Sequence, residues 1–128
     1  MDFRVKKKKQ KYIKKFWDNM QWDRPSEERI IEEIDMYVLN GFDVNVRDSQ
    51  GVTPLINAIR YYHKGVATRL IELKARVNMR ATDKTGASAL IAASARGMLE
   101  LSQILIENGA AEDAGSVFVF GENPPFPP

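Results

Sequence analysis

Apolar residues recur at helical spacing in several stretches of the chain, separated by polar turns. Ile30, Ile31, Ile34, Tyr37 and Val38 mark one face of a helix running through residue 39. Ser26 precedes it as a candidate N-cap, with Glu27 and Glu28 in the first turn, where the helix dipole favours negative charge. Gly41 stands where a left-handed C-terminal residue is expected. Upstream, Tyr12, Ile13, Phe16, Trp17 and Met20 form an apolar stripe beside a lysine face, which predicts an amphipathic helix over about residues 7–21. Arg24-Pro25 ends it, because a residue before proline avoids helical angles. Downstream, the pattern predicts two helix pairs, at about 54–62 with 66–73 and about 89–96 with 100–107. Pro54 suits a first helical turn, and Gly97 and Gly109 stop the last two helices.

The two pairs are copies. Asp48-Ser49-Gln50-Gly51-Val52-Thr53-Pro54-Leu55-Ile56-Asn57-Ala58 returns as Asp83-Lys84-Thr85-Gly86-Ala87-Ser88-Ala89-Leu90-Ile91-Ala92-Ala93, a span of 35 from Asp48 to Asp83. Leu70-Ile71 answers to Leu105-Ile106, and Lys74-Ala75 to Gly109-Ala110. A period of this length signals stacked repeats, whose end units need atypical caps. The aromatic stripe at 12–20 is expected to cover one end of the stack.

These residues resemble the ankyrin repeat. Thr53-Pro54-Leu55, Ser88-Ala89-Leu90-Ile91-Ala92-Ala93 with Arg96-Gly97, and Gly41-Phe42-Asp43-Val44-Asn45 match that family's pattern, over about residues 41–113 and weakly over 26–40. The chain departs from the pattern in several places. Ile56 and Ile91 replace the signature histidine, Tyr62 replaces a glycine before His63, and Lys74 replaces another at a helix end. The usual period is about 33, so two extra residues fall within Asn78-Met79-Arg80-Ala81-Thr82, and that loop is expected to be longer.

The resemblance implies an all-α fold, an ankyrin-like helical repeat solenoid with finger or turn connectors and an atypical N-terminal cap helix. Its divisions are a basic cap at 1–24, a degenerate first repeat at 25–47, repeats at 48–82 and 83–113, and a tail at 114–128. It also implies protein binding through the concave side. That side maps to Arg47, Ser49, Gln50 and Val52 on the first finger, then Arg60 and Tyr61 on the next helix. It continues through Arg80, Lys84, Thr85 and Ala87 on the second finger, with Ala95 and Arg96 beyond. Tyr62 beside Tyr61 would supply an aromatic anchor or fill space against the capping helix. Arginine and tyrosine commonly anchor interfaces, and Arg47, Arg60, Arg80, Lys84 and Arg96 are expected to form a basic strip suited to an acidic protein partner, the alternative being ordinary solvated charges. His63 matches a structural histidine at the helix–helix turn.

Charge sharpens this reading. The net charge is +2, yet residues 1–24 carry +6 and the remainder −4. Lys6, Lys7, Lys8, Lys9, Lys11, Lys14 and Lys15 make the N-terminus a candidate polyanion site, for nucleic-acid phosphates or an anionic membrane. The other readings are a solvated cap face and a contact with an acidic protein. Catalysis is not expected. The chain has one histidine, no cysteine, no P-loop and no G-x-G-x-x-G, which excludes thiolate zinc sites and cysteine nucleophiles. No metal, cofactor or small-molecule substrate is expected. No apolar run approaches the ~20 residues that span a bilayer, and the basic N-terminus lacks an apolar signal core, so a cytoplasmic setting is expected. Val117-Phe118-Val119-Phe120 is expected to fold against the third repeat, the alternative being insertion into a partner. Pro124-Pro125-Phe126-Pro127-Pro128 reads as an extended tail.

Overall fold

The computed structural model describes residues 15–110. The lysines at 6–9, 11 and 14 and the segment 114–128 lie outside the described residues. Within them, residues 15–18 are helical, followed by α1 (Glu27–Leu39), α2 (Pro54–Arg60), α3 (Lys64–Glu72), α4 (Ala89–Ala95) and α5 (Leu99–Glu107). α2 with α3 and α4 with α5 are the two helix hairpins of the echo. α2 packs on α4 to form an inner layer, while α1, α3 and α5 stack in order as an outer layer. The solenoid expected from the repeat is the observed fold.

Each hairpin starts the same way. Thr53 and Ser88 hold extended backbone angles, and their hydroxyls accept the N–H groups of Ile56 and Ile91 at 3.3 and 3.2 Å. Each satisfies a donor that the first helical turn leaves open. The apolar faces then close on one core. Ile56, Ile59, Val66, Leu70, Leu101 and Leu105 are fully buried, and truncating such a leucine to alanine typically costs about 2–5 kcal/mol. Tyr62 and Lys74, which stand in for glycines, take the left-handed angle itself, with φ of 63° and 70°.

On its inner side α1 meets the cap segment. Residues 16–22 fill that place with Trp17, Met20 and Trp22, all buried. Phe16 stacks on Tyr37 at 4.2 Å, Trp17 meets Tyr37 edge-on at 4.7 Å, and Tyr37 meets Phe42 at 5.0 Å. Phe16, Trp17 and Met20 of the stripe therefore lie against the stack, while Tyr12, Ile13 and the expected helix start near 7 lie outside the described residues; the helix stops at Asp18 rather than near 21. The chain turns there, and Trp22 presents its carbonyl to His63 Nε2 at 2.6 Å. His63 is buried at the α2–α3 turn and is structural in this sense. Glu27 reaches across as well, its carboxylate accepting the N–H of Val66 in the first turn of α3. Gly65 permits that approach, since a Cβ there would lie 2.8 Å from the Glu27 carboxylate.

Three boundary expectations need correction. Ser26 occupies the N-cap position, but its hydroxyl pairs with the Glu28 carboxylate instead of capping the helix. α2 ends at Arg60 rather than 62, because Tyr61 and Tyr62 make the turn. α3 accordingly begins at Lys64 rather than 66.

The fingers are laddered. Asn45 Oδ1 accepts the N–H of Arg76 at 2.7 Å, and Asn78 Nδ2 donates to the Gly109 carbonyl at 3.0 Å. The lengthened second finger has a purpose in this ladder, because Thr82 N–H donates to the Gly51 carbonyl at 2.8 Å. Gly51 has φ of 82°, and a Cβ on it would fall 2.2 Å from Thr82 Oγ1.

Candidate functional site

The inner layer and the fingers enclose two connected depressions. One, of about 610 Å³, lies between the cap and the first finger and is lined by Trp17, Asp18, Asp48, Gln50, Arg60 and Tyr61 among others. The second, of about 350 Å³, continues over α4, between Arg60, Thr85, Ile91, Ala95 and Arg96. Arg60 and Arg96 border both.

Finger turns build the first wall. Asp48 Oδ1 accepts the N–H groups of Gln50 and Val52, while Oδ2 accepts from Asn57 Nδ2. Asp83 Oδ1 likewise accepts from the Thr85 N–H and hydroxyl. Arg60 reaches this second turn, donating from Nη1 to Asp83 Oδ2 at 2.9 Å and from Nη2 to Thr85 Oγ1 at 2.8 Å. The Thr85 hydroxyl and the Arg60 guanidinium hold the Asp83 carboxyl down at about 2.

Of the expected basic residues, Arg60 and Arg96 border these depressions, and several have partners of their own. Arg47 donates from Nε and Nη2 to the Arg80 carbonyl, and Arg80 Nη1 donates to the Gly86 carbonyl. Arg60 is paired with Asp83. Arg96 lies 5.3 Å above the Tyr62 ring, within cation–π range. Lys84 and Gln50 are exposed. Val52 and Ala87, mapped to the face by resemblance, are buried at the finger bases, where small apolar side chains drop into the core. Tyr61 and Tyr62 are 48% and 61% exposed, in contrast to the buried Tyr37. At the N-terminus, Lys15 is exposed.

Sequence reasoning missed the cap's share in the first depression. Trp17 belongs to the stripe expected to cover the stack, whereas the sequence pattern attaches no role to Trp22 or Asp18. Asp18 Oδ1 in fact accepts the Ser49 N–H at 2.7 Å, docking the cap onto the first finger. No spacing rule could have found this contact. Among the described residues, no group of three or more histidine, cysteine or carboxylate side chains could hold a metal ion. Nor is any described helix long and apolar enough to cross a membrane.

Stacked helix hairpins with laddered fingers and a grooved inner side define a helical repeat scaffold of the protein-interaction class. The chain belongs to the ankyrin-repeat family: the model for ankyrin repeats in three copies matches residues 28–115. It is similar to neurogenic locus notch homolog protein 2 of Homo sapiens and of Mus musculus, 41% identical to each over 71 residues. That match covers 56% of this chain but 3% of either relative. Among solved structures it is similar to the ankyrin repeat domain of Bcl-3, described as a unique member of the IkappaB protein family. There the TM-score is 0.57 and the identity 33%, over 63% of this chain and 35% of that one. Ankyrin repeats are protein–protein interaction modules.

Proposed function

We propose that this chain is a non-enzymatic, cytoplasmic protein-binding module that acts as an adaptor or inhibitor through its concave face. In this reading residues 1–24 form the cap, 25–47, 48–82 and 83–113 are the repeats, and 114–128 the tail. The observation that carries it is the exposure of Tyr61 and Tyr62 with Arg96 stacked on the latter. The other described aromatics are buried or half-buried, whereas both of these are exposed and Tyr61 borders the first depression; tyrosine and arginine supply area together with polar bonds. Tyr62 also holds a left-handed angle that a bulky side chain adopts at a cost, which supports a role beyond stability.

Arg47, Arg80 and Lys84 give the second-finger side its positive character, and an acidic partner surface would complement it. The arginine forks are set by backbone carbonyls, so they are ordered before a partner arrives. Preordered side chains lose less entropy on docking.

Capture from a native lysate at moderate salt, with and without nuclease, tests the reading. One stoichiometric protein that survives nuclease is the expected result. Retention only in the presence of nucleic acid would instead assign binding to Lys6–Lys15.

A further inference from the structure

The two repeats differ on the inner helices, where they face the groove. Asn57 and Arg60 of the second repeat stand 35 positions before Ala92 and Ala95 of the third. Asn57 Nδ2 donates to Asp48 Oδ2 on its own finger. Ala92 has no amide to offer Asp83, the counterpart of Asp48, and Arg60 of the preceding repeat pairs with Asp83 Oδ2 instead. Over α4 the two alanines leave a bare floor. Ile91 is half-buried there, whereas its counterpart Ile56 is fully buried. Ile91, Ala92 and Ala95 all line the 350 Å³ depression.

The charge around this depression is one-sided. Arg60 and Arg96 line it, and among the described residues no carboxylate does. Asp18, Asp48 and Asp83 line the first depression instead. Arg60 is neutralised by Asp83. Arg96 is exposed and lies over the Tyr62 ring, but its guanidinium donates no hydrogen bond and joins no ion pair among the described residues. A guanidinium carries its donors in a planar fork that matches a carboxylate. An apolar floor therefore stands beside a cation whose donors are available.

We propose that this depression is a subsite for a large apolar residue and an acidic one two positions away, on an extended segment of a protein partner. Residues two apart in an extended segment point to the same side. The apolar side chain covers Ile91 and Ala95, and the aspartate or glutamate accepts a forked pair of hydrogen bonds from Arg96. The volume lies at the low end of the usual range for ligand pockets, about 300–1,000 Å³, and suits a single side chain. Asp18 and Asp48 repel a carboxylate from the first depression, so the acidic residue settles at Arg96 and not farther along the groove. The subsite rests on the concave-face reading and adds to it a pattern of partner residues.

The test titrates the full chain, labelled with ¹⁵N, with three blocked heptapeptides. The first is alanine with a central leucine and a glutamate two positions to either side, which serves both chain directions. The second has lysine for each glutamate, and the third has alanine for the leucine. The first should shift the Arg96 Nε–H resonance and the amides of Ile91 and Ala95, and the other two should bind about tenfold more weakly or worse. Arg96→Gln should weaken the first peptide about tenfold, the scale of one charge-assisted hydrogen bond. Lys74→Gln removes an equal charge from the exposed end of α3 and should not weaken it. Ala95→Leu fills the depression from an exposed position and should weaken it as Arg96→Gln does. Unchanged amide resonances in α1 verify that each variant is folded. Equal binding of the three peptides, an unmoved Arg96 Nε–H, or equal weakening by Arg96→Gln and Lys74→Gln would overturn the proposal. A captured partner that depends on Tyr61, from a chain that ignores the first peptide, would refute the subsite and leave the concave-face reading standing.

Discussion

Replacing Lys74 by glycine should stabilise this protein, even though it removes a side chain and adds none. Lys74 holds φ of 70° at the end of α3, where its N–H bonds the Ile71 carbonyl and the next N–H bonds that of Leu70. The side chain is exposed and makes no hydrogen bond or ion pair among the described residues. A left-handed angle costs a residue with a Cβ about 1–2 kcal/mol. Glycine escapes that cost but gives up about 0.4–1 kcal/mol through the greater freedom of its unfolded chain. The net expectation is a gain of about 0.5–1 kcal/mol. Tyr62, at φ 63°, is the internal comparison. Its replacement by glycine relieves the same strain but also removes the stack with Arg96, worth about 0.5–1 kcal/mol at an exposed site. Tyr62→Gly should therefore leave stability almost unchanged. Urea unfolding with linear extrapolation measures both variants against the parent. A loss on Lys74→Gly, or an equal gain from both, would refute the reasoning.

Gly51→Ala should cost about 2–3 kcal/mol, combining a left-handed angle with a clash against Thr82 Oγ1. The cost should shrink in a Thr82→Ala background, as read from paired urea midpoints. Thr53→Ala and Ser88→Ala should each cost about 1 kcal/mol in the same assay by removing a helix cap. Asp83 titrates at about 2 in the fold, against an ordinary value of 3.8. A depressed carboxyl contributes stability that is fully present above its unfolded value and lost as pH falls through the folded one. The parent should therefore lose stability between about pH 4 and pH 2 more steeply than Asp83→Asn, in thermal melts across that range.

The helices were legible because their buried faces repeat at helical spacing and because the echo from Asp48 to Asp83 ties two hairpins to one plan. The misplaced ends share a cause: where Tyr62 replaces the usual glycine, the turn still forms, and no local breaker marks it. The cap was legible as an aromatic stripe, but its early stop at Asp18 depends on the contact between Trp22 and His63, which are far apart in the sequence. The site was legible in part. Tyr61, Tyr62 and Arg96 emerge on the surface, but a list of arginines could not reveal that Arg60 is paired with Asp83 or that Arg47 is bound to Arg80. Those pairings join separate fingers and helices. Asp18 escaped notice for the same reason, since its meaning comes from Ser49 on the next finger.

The account's central claim is that a protein partner is held by the concave face and not by the N-terminal lysines. Calorimetry with the captured partner tests it, using Tyr61→Ala in one variant and glutamine at Lys6, Lys7, Lys8 and Lys9 in another. The account predicts that Tyr61→Ala weakens binding about tenfold or more, as expected of a buried anchor, and that the lysine replacements change it by no more than about twofold at moderate salt. Binding that collapses with the lysines replaced and ignores Tyr61 would contradict it.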